Sequence, residues 1–131
     1  MLLIYDAEQA WTDAEREQCY QDSTQLAHRL KASGQYLAAN PLQSVSTATS
    51  VQVRKDKRLV TDGPFAETRE QLGGYFLIEA KDLDDAIGIA TQIPSARKGT
   101  VEIRPLVEIA GLPEWCPAAI PGGRTDEKTY S

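Results

Sequence analysis

The residues of this chain that could do chemistry are a carboxylate in a turn, a hydroxyl on a helix, a guanidinium in a charged loop and several aromatic rings. Asp62 stands in the stretch Thr61-Asp62-Gly63-Pro64-Phe65. Burial penalises the charged form of a carboxylate and raises its pKa, so Asp62 in a pocket would suit general acid or base work. The same residues also make a turn, in which Asp62 accepts from backbone amides, Gly63 tolerates unusual dihedrals, Pro64 fixes the exit and Phe65 inserts as an anchor. Arg69 follows between Glu67 and Glu70. It belongs either to a solvated charged loop or to a clamp for an anionic ligand, because a guanidinium pairs with a carboxylate through two parallel hydrogen bonds. Tyr75 and Phe65 are the aromatic candidates for ligand contact, and Tyr5, Tyr75 and Phe76 equally suit core or cavity lining. The second catalytic candidate is Ser23, whose hydroxyl, on an inward helix face, must bond to a helix carbonyl or to a ligand.

Composition removes several other chemistries. The chain has 131 residues, one histidine (His28) and two cysteines (Cys19 and Cys116). Neither a four-cysteine nor a two-cysteine, two-histidine zinc site can be assembled, so no metal is expected. Fourteen Lys plus Arg against nineteen Asp plus Glu leave a net charge of −5, the wrong sign for affinity built on neutralising phosphates. Gly73-Gly74 precedes a strand signal rather than a helix, and no serine has the glycine spacing of a nucleophile elbow, so no nucleotide or other cofactor is expected. No apolar run approaches the roughly 18 residues that crossing a bilayer needs. The N-terminal segment has no basic region or small-residue cleavage site, and a cytoplasmic protein is the expectation.

The elements that must position these residues follow from periodicity. Leu2 to Tyr5 is a short apolar run and reads as a buried strand. Thr12-Asp13-Ala14-Glu15 fits a capping box, in which the Thr hydroxyl and the Glu carboxylate each accept from the other's amide. The helix it opens can run to Ser33, with Gly34 as the left-handed residue beyond. Cys19, Ser23, Leu26 and Leu30, with Ala27 alongside, mark its inward stripe. Tyr36 to Ala39 reads as a strand stopped by Asn40-Pro41. Thr49 to Arg54 alternates, with Thr49, Val51 and Val53 on one face, and Arg58 to Thr61 returns beside it after a turn at Lys55-Asp56-Lys57, a β-hairpin. Tyr75 to Ala80 is a central strand. Asp82 caps a second helix whose Leu83, Ala86, Ile87, Ala90 and Ile93 recur at helical spacing, and Pro94 ends it. Val101, Ile103, Pro105 and Val107 alternate in a last strand, with Pro105 confined to an edge or bulge.

This order, with two helices that each connect strands, predicts an α+β split βαβ or ferredoxin-like sandwich with an inserted hairpin, both helices on one side of the sheet. The other face needs a cover, since Val51, Val53 and the aromatic-rich strand at Tyr75 are too apolar for water. A second copy of the chain is the simplest supplier, so a homodimer with sheets packed face to face is expected.

The stretch from Val60 to Tyr75, VTDGPFAETREQLGGY, resembles the signature of the DGPF-domain proteins, part of the YCII-related group. Met1 to Tyr5, Gly34 to Leu42, Pro94 to Gly99 and Val101 to Pro105 also look like the family pattern. The likeness spans residues 1–109 and leaves 110–131 as an irregular tail. It implies a ferredoxin-like α/β barrel that closes as a dimer. Members of the wider YCII group are suspected enzymes through a His and Asp pair, by likeness to muconolactone-isomerase-type barrels, and DGPF members are often associated with extracytoplasmic-type sigma factors. In the wider pattern the helix-borne histidine falls on Ser23 here. His28 does not replace it, because at about 100° per residue it points about 200° away from Leu26, onto the polar face. The expected function is therefore a dimer that binds a small anionic or apolar ligand, with acid or base activity centred on Asp62. The alternative is a non-enzymatic accessory protein beside a sigma factor, using its acidic surface and tail.

Overall fold

A computed structural model describes residues 1–113. The expected order of elements is the order found: β1 (Leu2–Asp6), α1 (Asp13–Ala32), β2 (Tyr36–Pro41), β3 (Thr49–Arg54), β4 (Lys57–Asp62), β5 (Gln71–Ile78), α2 (Leu83–Thr91) and β6 (Thr100–Ile103). Short 3-10 turns at Glu8–Ala10, Val45–Thr47 and Pro94–Arg97 punctuate the connections. Strands β2, β5, β1 and β6 form one antiparallel sheet in that order, and β3 with β4 forms a separate two-stranded sheet. Each helix thus joins two strands that flank a third inserted between them, the split βαβ connection. The chain is α+β with antiparallel sheets, compatible with a ferredoxin-like fold.

Both helices start where their caps predict. The Thr12 hydroxyl accepts from the Glu15 amide at 3.1 Å while Glu15 Oε1 accepts from the Thr12 amide at 2.9 Å, which satisfies two of the amides a helix start leaves unpaired. Asp82 does the same for α2 through the Asp85 amide at 2.8 Å. Beyond α1, Gly34 sits at φ +80°, a left-handed geometry that favours glycine. Leu26 and Leu30 of α1 and Ile89, Ala90 and Ile93 at α2 close on Leu2, Ile4 and Phe76 of the sheet in one core. Both helices therefore cover the same face, as expected.

Several boundaries differ from the sequence reading. In α2 the buried stripe is Ala86, Ile89 and Ala90, while Leu83 and Ile87 are exposed; both registers are helical, and packing on β6 and β1 selects the one that brings Ile89 and Ile93 inward. Strand β5 begins at Gln71 and contains Gly73-Gly74 rather than following them. The reason is close strand approach: a Cβ on Gly74 would lie 3.0 Å from the Asn40 carbonyl oxygen and 3.2 Å from Pro41 Cα. That same pairing carries β2 through Pro41, past the expected stop at Asn40. The hairpin turn is the pair Lys55-Asp56, both at positive φ (51° and 64°). That geometry suits the right-handed twist of the two strands. The last strand ends at Ile103, and Val107 is exposed. Trp115, Cys116 and most of the tail (114–131) lie outside the described residues.

Candidate functional site

The strands and α1 enclose a cavity of about 630 Å³ on the helix side of the sheet. Its walls come from β1 (Ile4, Asp6), the inward stripe of α1 (Cys19, Ser23, Ala27), β2 (Tyr36, Ala39) and β5 (Gly74, Phe76). Ser23 was expected on that stripe, and the structure places it there, half-buried and lining the cavity. Small residues make the opening: where Leu26 and Leu30 fill the interface farther along α1, Ser23 and Ala27 leave space. Tyr75 also borders the cavity, and its hydroxyl accepts from Asn40 Nδ2 at 3.4 Å.

Asp62, Arg69 and Phe65 are not brought to this cavity. All three are exposed, Phe65 to 80%, and none lines the cavity under α1. Asp62 ends β4 opposite Thr49, on the separate hairpin. Local bonds hold that turn: the Gly63 amide donates to the Ala48 carbonyl at 2.7 Å and the Ser50 hydroxyl to the Gly63 carbonyl at 2.8 Å, with Gly63 at φ +102°. His28 is exposed, as its helical angle predicts, and reaches only the border of the cavity.

The carboxyl that the cavity holds is Asp6. It is the last residue of β1 and follows Leu2 and Ile4 at strand spacing, so it faces the helices. Its pKa is raised above the usual carboxylate value, first by burial; the Ser95 hydroxyl, the Trp11 indole and the Arg16 charge pull it back, and Glu70 pushes it further up. Ser95 is 6% exposed and sits in the 3-10 turn Pro94–Arg97, where its carbonyl accepts from the Lys98 and Gly99 amides at 3.2 and 2.8 Å. Cys19 Sγ lies 3.7 Å from Ser95 Oγ. The Trp11 indole nitrogen is buried and faces Asp6 outside hydrogen-bond geometry, so among the described residues its N–H has no acceptor. Outside, Lys98 Nζ lies 4.8 Å from the Trp11 ring centroid and donates to the Ala10 carbonyl (2.9 Å) and Glu15 (3.0 Å), so it clamps the tryptophan against the fold.

The other acidic wall residue is already engaged. Glu8 accepts from the Ser44 hydroxyl at 3.0 Å and the Val45 amide at 2.7 Å, tying the segment before α1 to the segment before β3. Arg16 donates to the Glu8 carbonyl at 2.8 Å and forms no ion pair among the described residues. The result is a pocket with an apolar wall of Ile4, Ala27, Ala39 and Phe76 and one polar end of Asp6, Trp11, Arg16 and Ser95. Such a site can hold a small organic molecule and move a proton at one oxygen of Asp6.

Sequence reasoning missed this polar end. Asp6 had a usable signal, since a carboxylate two residues after Leu2 and Ile4 in the alternation lands on the core face. Trp11, just before the capping Thr12, and Ser95, just after the helix-ending Pro94, carried none of that kind. Among the described residues no helix is long and apolar enough to cross a membrane, and no group of three or more His, Cys, Asp and Glu could hold a metal ion.

Comparison with known proteins bears out the YCII-related resemblance read from the sequence. Residues 1–110 match the family model for the YCII-related domain. An uncharacterized protein of Rhizobium meliloti (strain 1021) is 32% identical over 99 residues, which cover 74% of this chain and 80% of that protein.

Proposed function

The chain belongs to the YCII-related domain family, and we propose that it binds a small molecule in the cavity under α1, with Asp6 as the acid or base of the site. The observation that carries this reading is a half-buried carboxyl of raised pKa at the polar end of a roomy, partly apolar cavity. Asp6 takes the place that the sequence reading gave Asp62, because Asp62 is exposed and does not line the cavity. Ser23 keeps the role of a ligand-facing hydroxyl. The 60–75 stretch supports the DGPF group within the family, and the geometry supports its hairpin as structure rather than as a reaction centre. Amide chemical-shift mapping with a panel of small aromatic and aliphatic molecules tests the reading. Shifts should cluster on Asp6, Trp11, Ser23 and Phe76; a cluster around Asp62 and Arg69 instead, or no binding by any of the panel, would overturn it.

The same proposal includes a second copy of the chain. Val51, Val53 and Val60 are 59%, 61% and 56% exposed, and the core lies wholly on the helix side of the main sheet. Strand alternation turns Leu3, Tyr5 and Leu77 to the opposite face. Apolar surface of this extent favours association. Light scattering of the full chain should report a dimer, and a monomer at high micromolar concentration would contradict it. The accessory role beside a sigma factor remains the alternative function, tested by whether the chain at native level captures one.

A further inference from the structure

We propose that the Trp11, Arg16 and Ser95 end of the cavity is a carboxylate subsite, so that the molecules bound are small organic acids with an apolar body. This rests on the cavity being the binding site and adds the class of ligand. The groups at that end are unusually biased towards donation. Trp11 Nε1 can only donate, and it is buried without an acceptor among the described residues. A buried donor left unpaired costs free energy that a bound oxygen would recover. Arg16 can only donate, has one N–H committed to the Glu8 carbonyl, and keeps the rest of its fork available. Ser95 Oγ faces the Asp6 carboxyl and otherwise, among the described residues, makes the weak Cys19 contact at 3.7 Å. A guanidinium, an indole N–H and a hydroxyl that all line the cavity beside Asp6 suit an oxyanion with two oxygens.

Asp6, when ionised, opposes an anion, and its surroundings resolve the conflict. It is faced by Trp11, by Arg16 of α1, by Ser95 of the 3-10 turn and by Glu70 ahead of β5, with Gln71 as its partner across the sheet. Burial and Glu70 already favour its neutral form. Two carboxylates in one low-dielectric site share one proton, because both cannot stay ionised there. The bound acid and Asp6 then hold a single negative charge between them, opposite the single positive charge of Arg16. To the extent that Asp6 is ionised before binding, the proton comes from solvent, so the acid binds with proton uptake.

The experiment uses the full chain labelled with nitrogen-15, whose two tryptophans give two indole N–H signals; Trp11→Phe identifies the one that belongs to Trp11. Phenylacetate, 2-phenylethanol and phenethylamine serve as probes of one shape and three charges. Phenylacetate should move the Trp11 indole proton downfield and bind roughly tenfold tighter than 2-phenylethanol, as expected for one hydrogen bond to a charged group. Calorimetry in two buffers of different ionisation enthalpy should show proton uptake with phenylacetate. Asp6→Asn, a near-isostere with no proton to titrate, should abolish that uptake, and Arg16→Gln should weaken phenylacetate alone. Equal or tighter binding of 2-phenylethanol or phenethylamine overturns the carboxylate subsite and leaves the cavity reading standing. Failure of all three probes to bind overturns both.

Discussion

Replacing Gly99 with alanine should cost this protein a large part of its stability, although the change adds one methyl group. Gly99 follows the 3-10 turn that carries Ser95, and a Cβ built there would lie 2.1 Å from the Tyr5 carbonyl oxygen, 2.8 Å from Asp6 Cβ and 3.0 Å from Asp6 Cα. These are backbone and Cβ atoms of the sheet, not the end of a flexible side chain, so the turn or the end of β1 must move by about an ångström to admit the methyl. Overpacking of this kind costs about 1–3 kcal/mol, and the absence of a yielding neighbour argues for the upper part of that range. For a domain of this size each kcal/mol lowers Tm by roughly 3–5 °C, so the expected fall is roughly 6–15 °C. Gly88→Ala supplies the control: it lies in α2 with nothing within 4 Å of its added Cβ, so it should stabilise by about 0.5–1 kcal/mol through helix propensity. Paired urea and thermal unfolding of the two variants reads both effects. A Gly99→Ala protein within a few tenths of a kcal/mol of the parent would refute the packing of the Ser95 turn on Asp6.

Thr12→Ala removes the hydroxyl that caps α1 and should lower stability by about 1 kcal/mol in chemical unfolding, with Thr12→Ser restoring most of it. Asp6→Asn should change how stability depends on pH. The carboxyl of Asp6 is raised in the folded chain, so between its ordinary value of 3.8 and that higher folded value the native state binds more protons than the unfolded chain, and stability falls as pH rises through this window. The variant should lack that segment of the urea-midpoint profile; a profile superimposable on the parent's would count against a perturbed Asp6.

The frame of the molecule was legible because it is written in local patterns. The box Thr12-Asp13-Ala14-Glu15 fixed the start of α1, and the steps from Cys19 to Leu30 fixed which face of that helix turns inward, which put Ser23 on the cavity wall. The register of α2 was not legible, because Leu83 and Ile87 repeat as well as Ile89 and Ile93 do, and only contact with β1 and β6 decides between them. Nor was the extent of β5, since glycines read as breakers until a neighbouring strand is seen to need their missing side chains. The carboxylate read from the sequence differs from the one the cavity holds for a related reason. Asp62 sits in a conspicuous motif, and a motif shows that a turn is constrained, not that it is buried. Asp6 sits in an inconspicuous strand end whose alternation with Leu2 and Ile4 carries the burial. The rest of the polar end depends on contacts between Trp11, Arg16 and Ser95, residues up to 84 positions apart, which no local pattern encodes.

The most direct measurement is the titration of the Asp6 side-chain carboxyl by carbon-13 NMR, followed in the full chain from about pH 3 to pH 8 and assigned with Asp6→Asn. The structure predicts a midpoint clearly above 3.8, and one that rises further when phenylacetate is present, because the bound acid and Asp6 then share a proton. A midpoint at or below 3.8, unmoved by phenylacetate, would contradict Asp6 as the working carboxyl of the cavity.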